Sequence, residues 1–169
     1  MIRRSAPQDY KRLLALYEGA RTFMKAHGNP TQWGDFSPTK ARILEDIACG
    51  GYVAEEDGVV YGAFFLMPGP DPTYLRIEEG EWLNDEPYYV IHRICSDGKP
   101  GRGVLKQAVS FALTMTANIR IDTHQDNRVM REALTKLGFR YCGIISLPNG
   151  TTRRAYQYCA DSAGKGGHA

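Results

Sequence analysis

The stretch ICSDGKPGRGVLKQAVSFA (94–112) runs from an apolar segment, through three glycines, into a segment whose apolar residues have helical spacing. The glycines are Gly98, Gly101 and Gly103, and the basic residues Lys99 and Arg102 lie among them. A loop with so few side chains allows a ligand to approach the backbone closely. The basic residues indicate that such a ligand is anionic.

Two familiar phosphate-binding motifs are excluded at this junction. A Walker-type loop requires Lys-Ser or Lys-Thr after the glycines, and neither pair occurs here. A dinucleotide fingerprint G-x-G-x-x-G begins at Gly101 and Gly103, but Lys106 stands in place of the third glycine. Two interpretations stay open: a flexible turn that caps a helix, or an anion site formed by amides at a helix N-terminus with Arg102.

The composition of the whole chain is that of an ordinary folded protein: 169 residues, 43% hydrophobic, 24% charged, with a formal net charge of +2. These values predict one domain, residues 1–160, followed by a small polar tail at 161–169. The balanced charge argues against nucleic acid or an anionic membrane as the partner. We find no apolar run of membrane-spanning length and no signal peptide at the start of the sequence. Four scattered cysteines without metal-ligand spacing predict reduced thiols, no metal and a cytoplasmic protein.

Hydrophobic periodicity predicts an α/β fold with the element order β, α, α, three β, α, β, α, β, β. The predicted helices cover about 10–24, 39–48, 104–115 and 126–138. Strands are predicted at 2–4, on both sides of Asp57-Gly58, at 88–96, at 119–123, and on both sides of the turn 148–150. The segment 68–87 is long, turn-rich and acidic.

This order of elements, the loop GRGV (101–104) and the segment NRVMREALTKLGF (127–139) resemble the GNAT superfamily of acetyl-coenzyme A-dependent N-acetyltransferases. The resemblance extends over residues 2–159. The longer segment is similar to the family motif N-x-x-A-x-x-L-Y-x-K-L-G-F and matches it at Asn127, Lys136, Leu137, Gly138 and Phe139. The family loop signature [Q/R]-x-x-G-x-[G/A] is matched strictly only by Gly103. Leu134 replaces the tyrosine that often protonates the leaving thiolate in the family.

The resemblance implies a mixed, mostly antiparallel sheet of about seven strands flanked by about four helices, with strands four and five splayed. It implies direct transfer of acetyl from acetyl-CoA, the acyl-donor substrate, to a primary amine on a small molecule or peptide. We expect a monomer or a homodimer. The implied cofactor contacts are Ile94, Cys95, Ser96, Gly101, Arg102, Gly103, Val104, Leu105, Lys106 and Asn127.

His92 is the candidate catalytic base, because an unperturbed pKa near ~6.5 suits proton transfer. Strand alternation predicts that His92 and Ile94, two residues apart, share a face. The alternative is a hydrogen-bonded core histidine. Tyr141 is a candidate for the missing general acid. Cys95 is expected to be a small buried side chain rather than a nucleophile, because the sequence supplies no neighbouring base.

Three further residues are candidates for binding the amine acceptor. Trp33 lies in a turn-rich segment and forms a lid or pocket wall, or else fills the core. Glu81 belongs to the acidic loop and attracts a cationic amine, or else is solvated. His124 faces the splayed strands, or else closes a strand-to-helix turn. The alternative function is a non-catalytic module that binds or senses acyl-CoA; a nucleic-acid-binding domain is disfavoured because the basic residues are dispersed.

Overall fold

The computed structural model describes residues 1–160, and the predicted tail at 161–169 lies outside the described residues. The order of elements is the predicted one. The strands and helices are β1 (Ile2–Arg4), α1 (Tyr10–Ala26), α2 (Lys40–Cys49), β2 (Gly51–Glu56), β3 (Val59–Pro68), β4 (Tyr89–Ser96), α3 (Val104–Ala112), β5 (Asn118–Thr123), α4 (Arg128–Lys136), β6 (Arg140–Ser146) and β7 (Thr152–Cys159). Short 3₁₀ turns lie at Pro7–Asp9 and Pro72–Tyr74.

Helix α3 is shorter than the periodicity predicts, because it ends at Ala112 and not at Met115. The hydroxyl and the amide of Thr114 both donate to the Phe111 carbonyl, at 2.7 and 3.1 Å. A threonine that bonds locally in this way competes with the helical ladder. The apolar spacing therefore continues through a turn that is no longer α-helical.

The seven strands form one sheet in the order β1-β2-β3-β4-β5-β7-β6. All neighbours are antiparallel except β4 and β5, which are parallel. These two strands pair only through Tyr89 with Ile119 and Val90 with Arg120. Beyond Val90 the two strands separate, which confirms the predicted mixed sheet with strands four and five splayed. We call this opening the fork.

The local signals in the sequence explain where the elements turn and end. Asp57 and Gly58 both have positive φ, 51° and 76°, as a two-residue hairpin turn requires. Thr39 caps α2 by accepting the Arg42 amide at 3.2 Å. Gly138 follows α4 with a φ of 92°, the conformation for which glycine is favoured after a helix.

Two layers cover the sheet. On one face, α3 and α4 pack over a core that includes Phe64, Ile91, Ile121 and Leu134. On the other face, α1 and α2 cover the first strands, while the acidic segment 68–87 covers the later ones. Tyr74 is 1% exposed within that segment. Within residues 1–160, no helix is long and apolar enough to cross a bilayer.

Candidate active site

A groove of about 740 Å³ lies between α1 and the N-terminal ends of α3 and α4, and the last residues of β4 line it. Its volume falls in the range of small-molecule and cofactor sites. Nine of the ten residues predicted to contact a cofactor line it: Ile94, Cys95, Ser96, Gly101, Arg102, Gly103, Val104, Leu105 and Asn127. The tenth, Lys106, is exposed and lies outside the lining.

The glycine loop owes its shape to backbone conformation. Gly98, Gly101 and Gly103 have φ values of 75°, 81° and 57°, which other residues rarely adopt. No atom lies within 4 Å of the position where a Cβ of any of the three would stand. The first helical bond of α3 runs from the Gln107 amide to the Gly103 carbonyl at 3.0 Å. The amides before Gln107 have no partner inside the helix and are available to an anion at the groove.

A network from the β2–β3 hairpin supports this loop from behind. The Tyr61 hydroxyl donates to Gln107 Oε1 at 3.0 Å, and Gln107 Nε2 donates to the Arg102 carbonyl at 2.6 Å. The Arg102 guanidinium lies 4.3 Å from the centroid of the Tyr61 ring and pairs with Glu56 at 2.6 Å. Asp97 lies 3.7 Å from the same guanidinium. Arg102 therefore ties the loop to the hairpin as well as lining the groove.

At the fork, His92 lies between two carboxylates. Its Nε2 contacts Asp71 Oδ2 at 2.7 Å, and its Nδ1 lies 3.9 Å from Asp122 Oδ2 on β5. The Tyr74 hydroxyl donates to Asp122 Oδ2 at 2.7 Å. An ionised Asp71 only accepts hydrogen bonds, so Nε2 carries the proton in the neutral ring and Nδ1 keeps its lone pair. The separation from Asp122 is too long for a hydrogen bond, so that lone pair is available to a substrate proton.

The partners of His92 have perturbed ionisation. Burial works to raise the pKa of Asp71, but hydrogen bonds from His92 and Thr73 outweigh it and lower that pKa to about 2. Burial, reinforced by the neighbouring Asp122, raises the pKa of Tyr74 well above its usual value of 10. At neutral pH, Asp71 is therefore a carboxylate that orients the imidazole, and Tyr74 is a neutral donor that orients Asp122.

The prediction that His92 and Ile94 share a face is wrong. Phe65 pairs with His92 and Ala63 pairs with Cys95, so β4 has one more residue than β3 between these pairs. The extra residue is at Arg93, whose φ is 49° and whose guanidinium binds Asp46 at 2.5 and 2.8 Å. This bulge breaks the alternation on which the prediction rests. His92 therefore lies on the α1 and α2 side of the sheet with Cys95, while Ile94 packs towards α3.

This geometry is matched by known structures. The chain is 33% identical, with a TM-score of 0.82 and 94% of each chain covered, to an acetyltransferase of the GNAT family from Streptococcus agalactiae. The chain belongs to the GNAT family of acetyltransferases. Membership supports acyl transfer as the general activity. Neither a protein-family model nor a curated protein matches the sequence.

More distant GNAT structures share the fold. yncA from Salmonella typhimurium, solved with its cofactor acetyl-CoA, is 14% identical with a TM-score of 0.62; the match covers 100% of this chain and 98% of that one. The GphF GNAT-like decarboxylase, in complex with isobutyryl-CoA, is 15% identical with a TM-score of 0.63; coverage is 95% and 99%. At these identities the likeness shows the fold alone, and the decarboxylase illustrates that the fold does not fix the reaction.

In this GNAT chain, the asparagine of the sequence motif has a clear structural role. Asn127 Oδ1 caps α4 by accepting the Met130 amide at 3.1 Å, and its Nδ2 donates to Gln32 Oε1 at 2.9 Å. Asn29 Nδ2 donates to the same Gln32 oxygen at 2.8 Å. Asn127 thus connects the groove to the segment between α1 and α2.

The predicted acceptor residues and the predicted acid are dispersed. Trp33 packs edge to face on Tyr17, with ring centroids 5.7 Å apart, in the cluster under α1 and α2. Glu81 is exposed. Tyr141 lies on the outer strand β6, where the guanidinium of Arg154 is 4.5 Å from its ring centroid. The groove lining includes none of the three.

His124 closes the turn between β5 and α4. Its Nδ1 accepts the Asp126 amide at 3.1 Å and lies 3.5 Å from the Asp126 carboxylate. Burial, assisted by the charge of Arg153, lowers the pKa of His124 below 6.5. This is the structural interpretation left open by the sequence, although Nε2 makes only a 3.5 Å contact, to Thr31 Oγ1.

Cys95 has the environment of an inert thiol. It is 6% exposed among apolar residues of the α1 and α2 cluster. Burial raises its pKa to about 12, so the nucleophilic thiolate is scarce at neutral pH.

Sequence reasoning missed Asp71, Tyr74 and Asp122. Asp71 and Tyr74 lie in the segment that the sequence suggested was acidic loop, and only the cap pattern D-P-T gave a local signal, since Asp71 Oδ1 accepts the Thr73 amide at 2.8 Å. Asp122 was visible only as a polar residue of an alternating strand. Eight residues of α1, a helix far from the motifs in sequence, also line the groove: Arg12, Ala15, Leu16, Gly19, Ala20, Thr22, Phe23 and Met24.

Proposed function

We propose that this protein is an N-acetyltransferase that moves an acetyl group from acetyl-CoA directly to a primary amine. One observation carries the proposal: the groove runs from the glycine loop along β4 to Ile94, next to the fork where His92 is held by Asp71. An anion site at one end and an oriented base at the other fit an acyl donor that has phosphates at one end and a thioester at the other.

The residues of the groove fit an acyl-CoA. The amides at the start of α3 offer donors for a diphosphate, and the helix dipole favours negative charge there. The exposed Lys99 and the guanidinium of Arg102 add positive charge around the loop. The backbone of Ile94, Cys95 and Ser96 lies along the separated edge of β4, where the pantetheine amides would pair. When bound, acyl-CoA supplies the activated acyl group.

His92 is proposed to take the proton from the amine. An alkylamine has a pKa near ~10 and is mostly protonated at neutral pH, so it must lose a proton before it attacks. Nδ1 of His92 accepts that proton, while Asp71 holds the ring and stabilises the imidazolium that forms. Asp122, 3.9 Å from Nδ1, attracts the ammonium form of the acceptor to this point.

In the transfer, the nitrogen–carbon bond forms and the carbon–sulfur bond breaks. The ammonium form of the acceptor loses two protons in all: His92 takes the first before attack and passes it to solvent, and the release of the second after attack balances the one proton that goes to the leaving sulfur. Two sources for that proton are proposed, His92 itself and Tyr141. A Tyr141→Phe substitution distinguishes them, because it lowers kcat only if the phenol supplies the proton.

The proposal also covers the domain, the oligomeric state, the acceptor contacts and the cellular compartment. Residues 1–160 form one acetyltransferase domain, followed by the 161–169 tail, in a monomer or homodimer. Trp33, Glu81 and His124 are proposed to contact the acceptor. The four cysteines are free thiols, which is consistent with a cytoplasmic protein.

The proposal is tested by binding and by turnover. Acetyl-CoA and CoA are expected to raise the Tm by several degrees, and ATP at the same concentration much less, because ligands of the native state stabilise it. Thiol release is then measured across a panel of primary amines. Selective stabilisation without turnover of any amine would favour the sensor alternative over the enzyme. Absence of stabilisation by both CoA species would contradict both functions.

A further inference from the structure

A second polar cluster lies beside the fork and has no role in the proposed proton transfer. Arg153 of β7 is 7% exposed, and its guanidinium donates only to neutral oxygens. Nη1 donates to Thr151 Oγ1 at 3.3 Å and to the Thr152 carbonyl at 2.8 Å, and Nη2 donates to the Gln32 carbonyl at 3.2 Å. Among residues 1–160, no carboxylate lies within 4 Å of this guanidinium.

Burial of a guanidinium without a counter-charge is unfavourable. Desolvation lowers the pKa of Arg153, and the charge of Asp122 only partly opposes that effect. Buried charges in proteins are normally paired with an opposite charge. A carboxylate or another planar anion is the partner for which a guanidinium has the matching geometry.

His124 presents a second donor at the same place. Because its Nδ1 accepts the Asp126 amide, the neutral ring carries its proton on Nε2. The contact from Nε2 to Thr31 Oγ1 is 3.5 Å, longer than an ordinary hydrogen bond. Nε2–H is therefore free to donate to a ligand.

The register of the sheet places this donor pair close to the fork. Thr123 pairs with Arg154 and Asp122 pairs with Ala155, so the same register continued by one residue sets His124 opposite Arg153, and the charge of Arg153 acts to lower the pKa of His124. The side chain of Arg153 lies on the same face as that of Asp122, as its diagonal neighbour. Diagonal neighbours of this kind are about 7–8 Å apart. One short ligand can therefore reach both a carboxylate and a guanidinium.

We propose that the acceptor is an amino acid, with its amine between His92 and Asp122 and its free carboxylate on Arg153 and His124 Nε2. This inference rests on the proposed function and adds the class of acceptor to it. It excludes amines without a nearby carboxylate, including those of peptide N-termini and lysine side chains within a protein. The competing explanation is that Arg153 only ties the Gln32 carbonyl to β7.

The test compares amino acids with their amides, which keep the amine and the side chain but lack the negative charge. Amidation also lowers the pKa of the amine, so simple reactivity favours the amide. The inference predicts the reverse for the wild-type protein: kcat/KM about tenfold or more higher for the acid than for the amide, the scale of one lost charge-assisted contact. Equal or faster turnover of the amides would overturn the inference and leave the proposed function intact.

Variants separate recognition from structure. Arg153→Gln is expected to lower kcat/KM for the acids by about tenfold and to change that for the amides less than about threefold. The matched control is Arg42→Gln, which removes an exposed arginine of α2 that pairs with Glu45 at the surface and is expected to change kcat/KM for neither series. Equal losses for acid and amide would assign Arg153 a structural role and contradict the inference. If neither series reacts while other primary amines do, the inference fails and the proposed function stands. If no primary amine reacts, the proposed function fails and the inference fails with it. The acid-to-amide ratio of the wild type decides the matter even if Arg153→Gln does not fold.

Discussion

The groove and the fork are adjacent, but they are built in opposite ways. The groove is lined by the backbone of the glycine loop, where the glycines have left-handed conformations, and by α1, where Gly19 leaves space for a ligand. The fork is lined by side chains from three separate segments. Hydrogen bonds join His92 to Asp71 and Tyr74 to Asp122, and Asp122 lies 3.9 Å from His92. In the groove, substitutions that keep the size of a side chain are therefore expected to be tolerated, and those that fill space are expected to block binding. At the fork, a substitution that removes either the histidine base or one of its hydrogen bonds is expected to lower activity.

The largest effect is expected from filling the groove. Gly19 lies on α1 in the lining, and no atom is within 4 Å of its Cβ position. Gly19→Phe should abolish the thermal shift with acetyl-CoA and lower kcat/KM by about a hundredfold or more, because the ring occupies the donor's space. Gly19→Ala is the control: it should bind normally and gain about 0.5–1 kcal/mol of stability, since glycine weakens a helix. Unchanged acetyl-CoA binding by Gly19→Phe would contradict this location of the donor.

Removing the base is expected to have the next largest effect. His92→Ala should lower kcat by about 10²–10³ and flatten the pH profile, with the KM for acetyl-CoA within about twofold of wild type. His124→Ala should instead change mainly the KM for the amine, because the imidazole is assigned to binding. Steady-state kinetics measured as a function of amine concentration between about pH 5 and pH 8 separate the two. A wild-type pH profile in His92→Ala would remove this histidine from the mechanism.

Loss of the carboxylate that orients His92 should have a moderate effect. Asp71→Asn is expected to lower kcat by about tenfold, because the amide no longer stabilises the imidazolium. Its effect on stability depends on pH. The folded-state pKa of Asp71, about 2, lies below its ordinary 3.8, so the carboxylate stabilises the fold above about pH 4.

That contribution is lost as the pH falls from about 4 to about 2. Urea unfolding of wild type and Asp71→Asn should therefore show a difference in unfolding free energy that shrinks across this interval. A constant difference from pH 6 to about pH 2 would show that the ionised form of Asp71 is not what stabilises the native state.

A smaller effect is expected behind the glycine loop. Tyr61→Phe removes the hydrogen bond to Gln107, worth about 1 kcal/mol, and should raise the KM for acetyl-CoA about threefold to fivefold at unchanged kcat. Tyr52→Phe, on the neighbouring strand, is the control, because that ring packs on Phe64 and Phe111. If both variants behave alike, the support of the loop by Tyr61 is wrong.

The smallest effect is expected at Cys95, although it lines the groove. Burial raises its pKa to about 12, and the proposal transfers acetyl directly, without a covalent enzyme intermediate. Cys95→Ala should keep kcat within about twofold and cost about 1 kcal/mol or more of stability, as expected for a small cavity. A loss of kcat comparable to that of His92→Ala would instead indicate an acyl-cysteine.

The difference between the two regions also explains what the sequence could predict. The order of elements followed from local signals, because periodicity, turn glycines and helix caps act over a few residues, whereas the cofactor contacts on β4, the glycine loop and α4 were implied by the resemblance to the family. The face of the sheet on which His92 lies did not, because it is set by the bulge at Arg93, whose side chain binds Asp46, 47 residues away. Likewise, Asp71 and Asp122 meet His92 only through the packing of segment 68–87 on the sheet.

The acceptor side was the least predictable part for the same reason. Gln32, His124 and Arg153 come from the α1–α2 segment, the end of β5 and the start of β7, and only the assembled sheet brings them together. An isolated arginine in a strand carries no signal of burial in the sequence.

A crystal structure with bound CoA tests the central claim most directly. The account predicts that the diphosphate lies on the amides of residues 101–105 and that the sulfur lies between the separated strands, near Ile94 and within reach of His92. Density for CoA elsewhere on the molecule, or a diphosphate away from the start of α3, would contradict it.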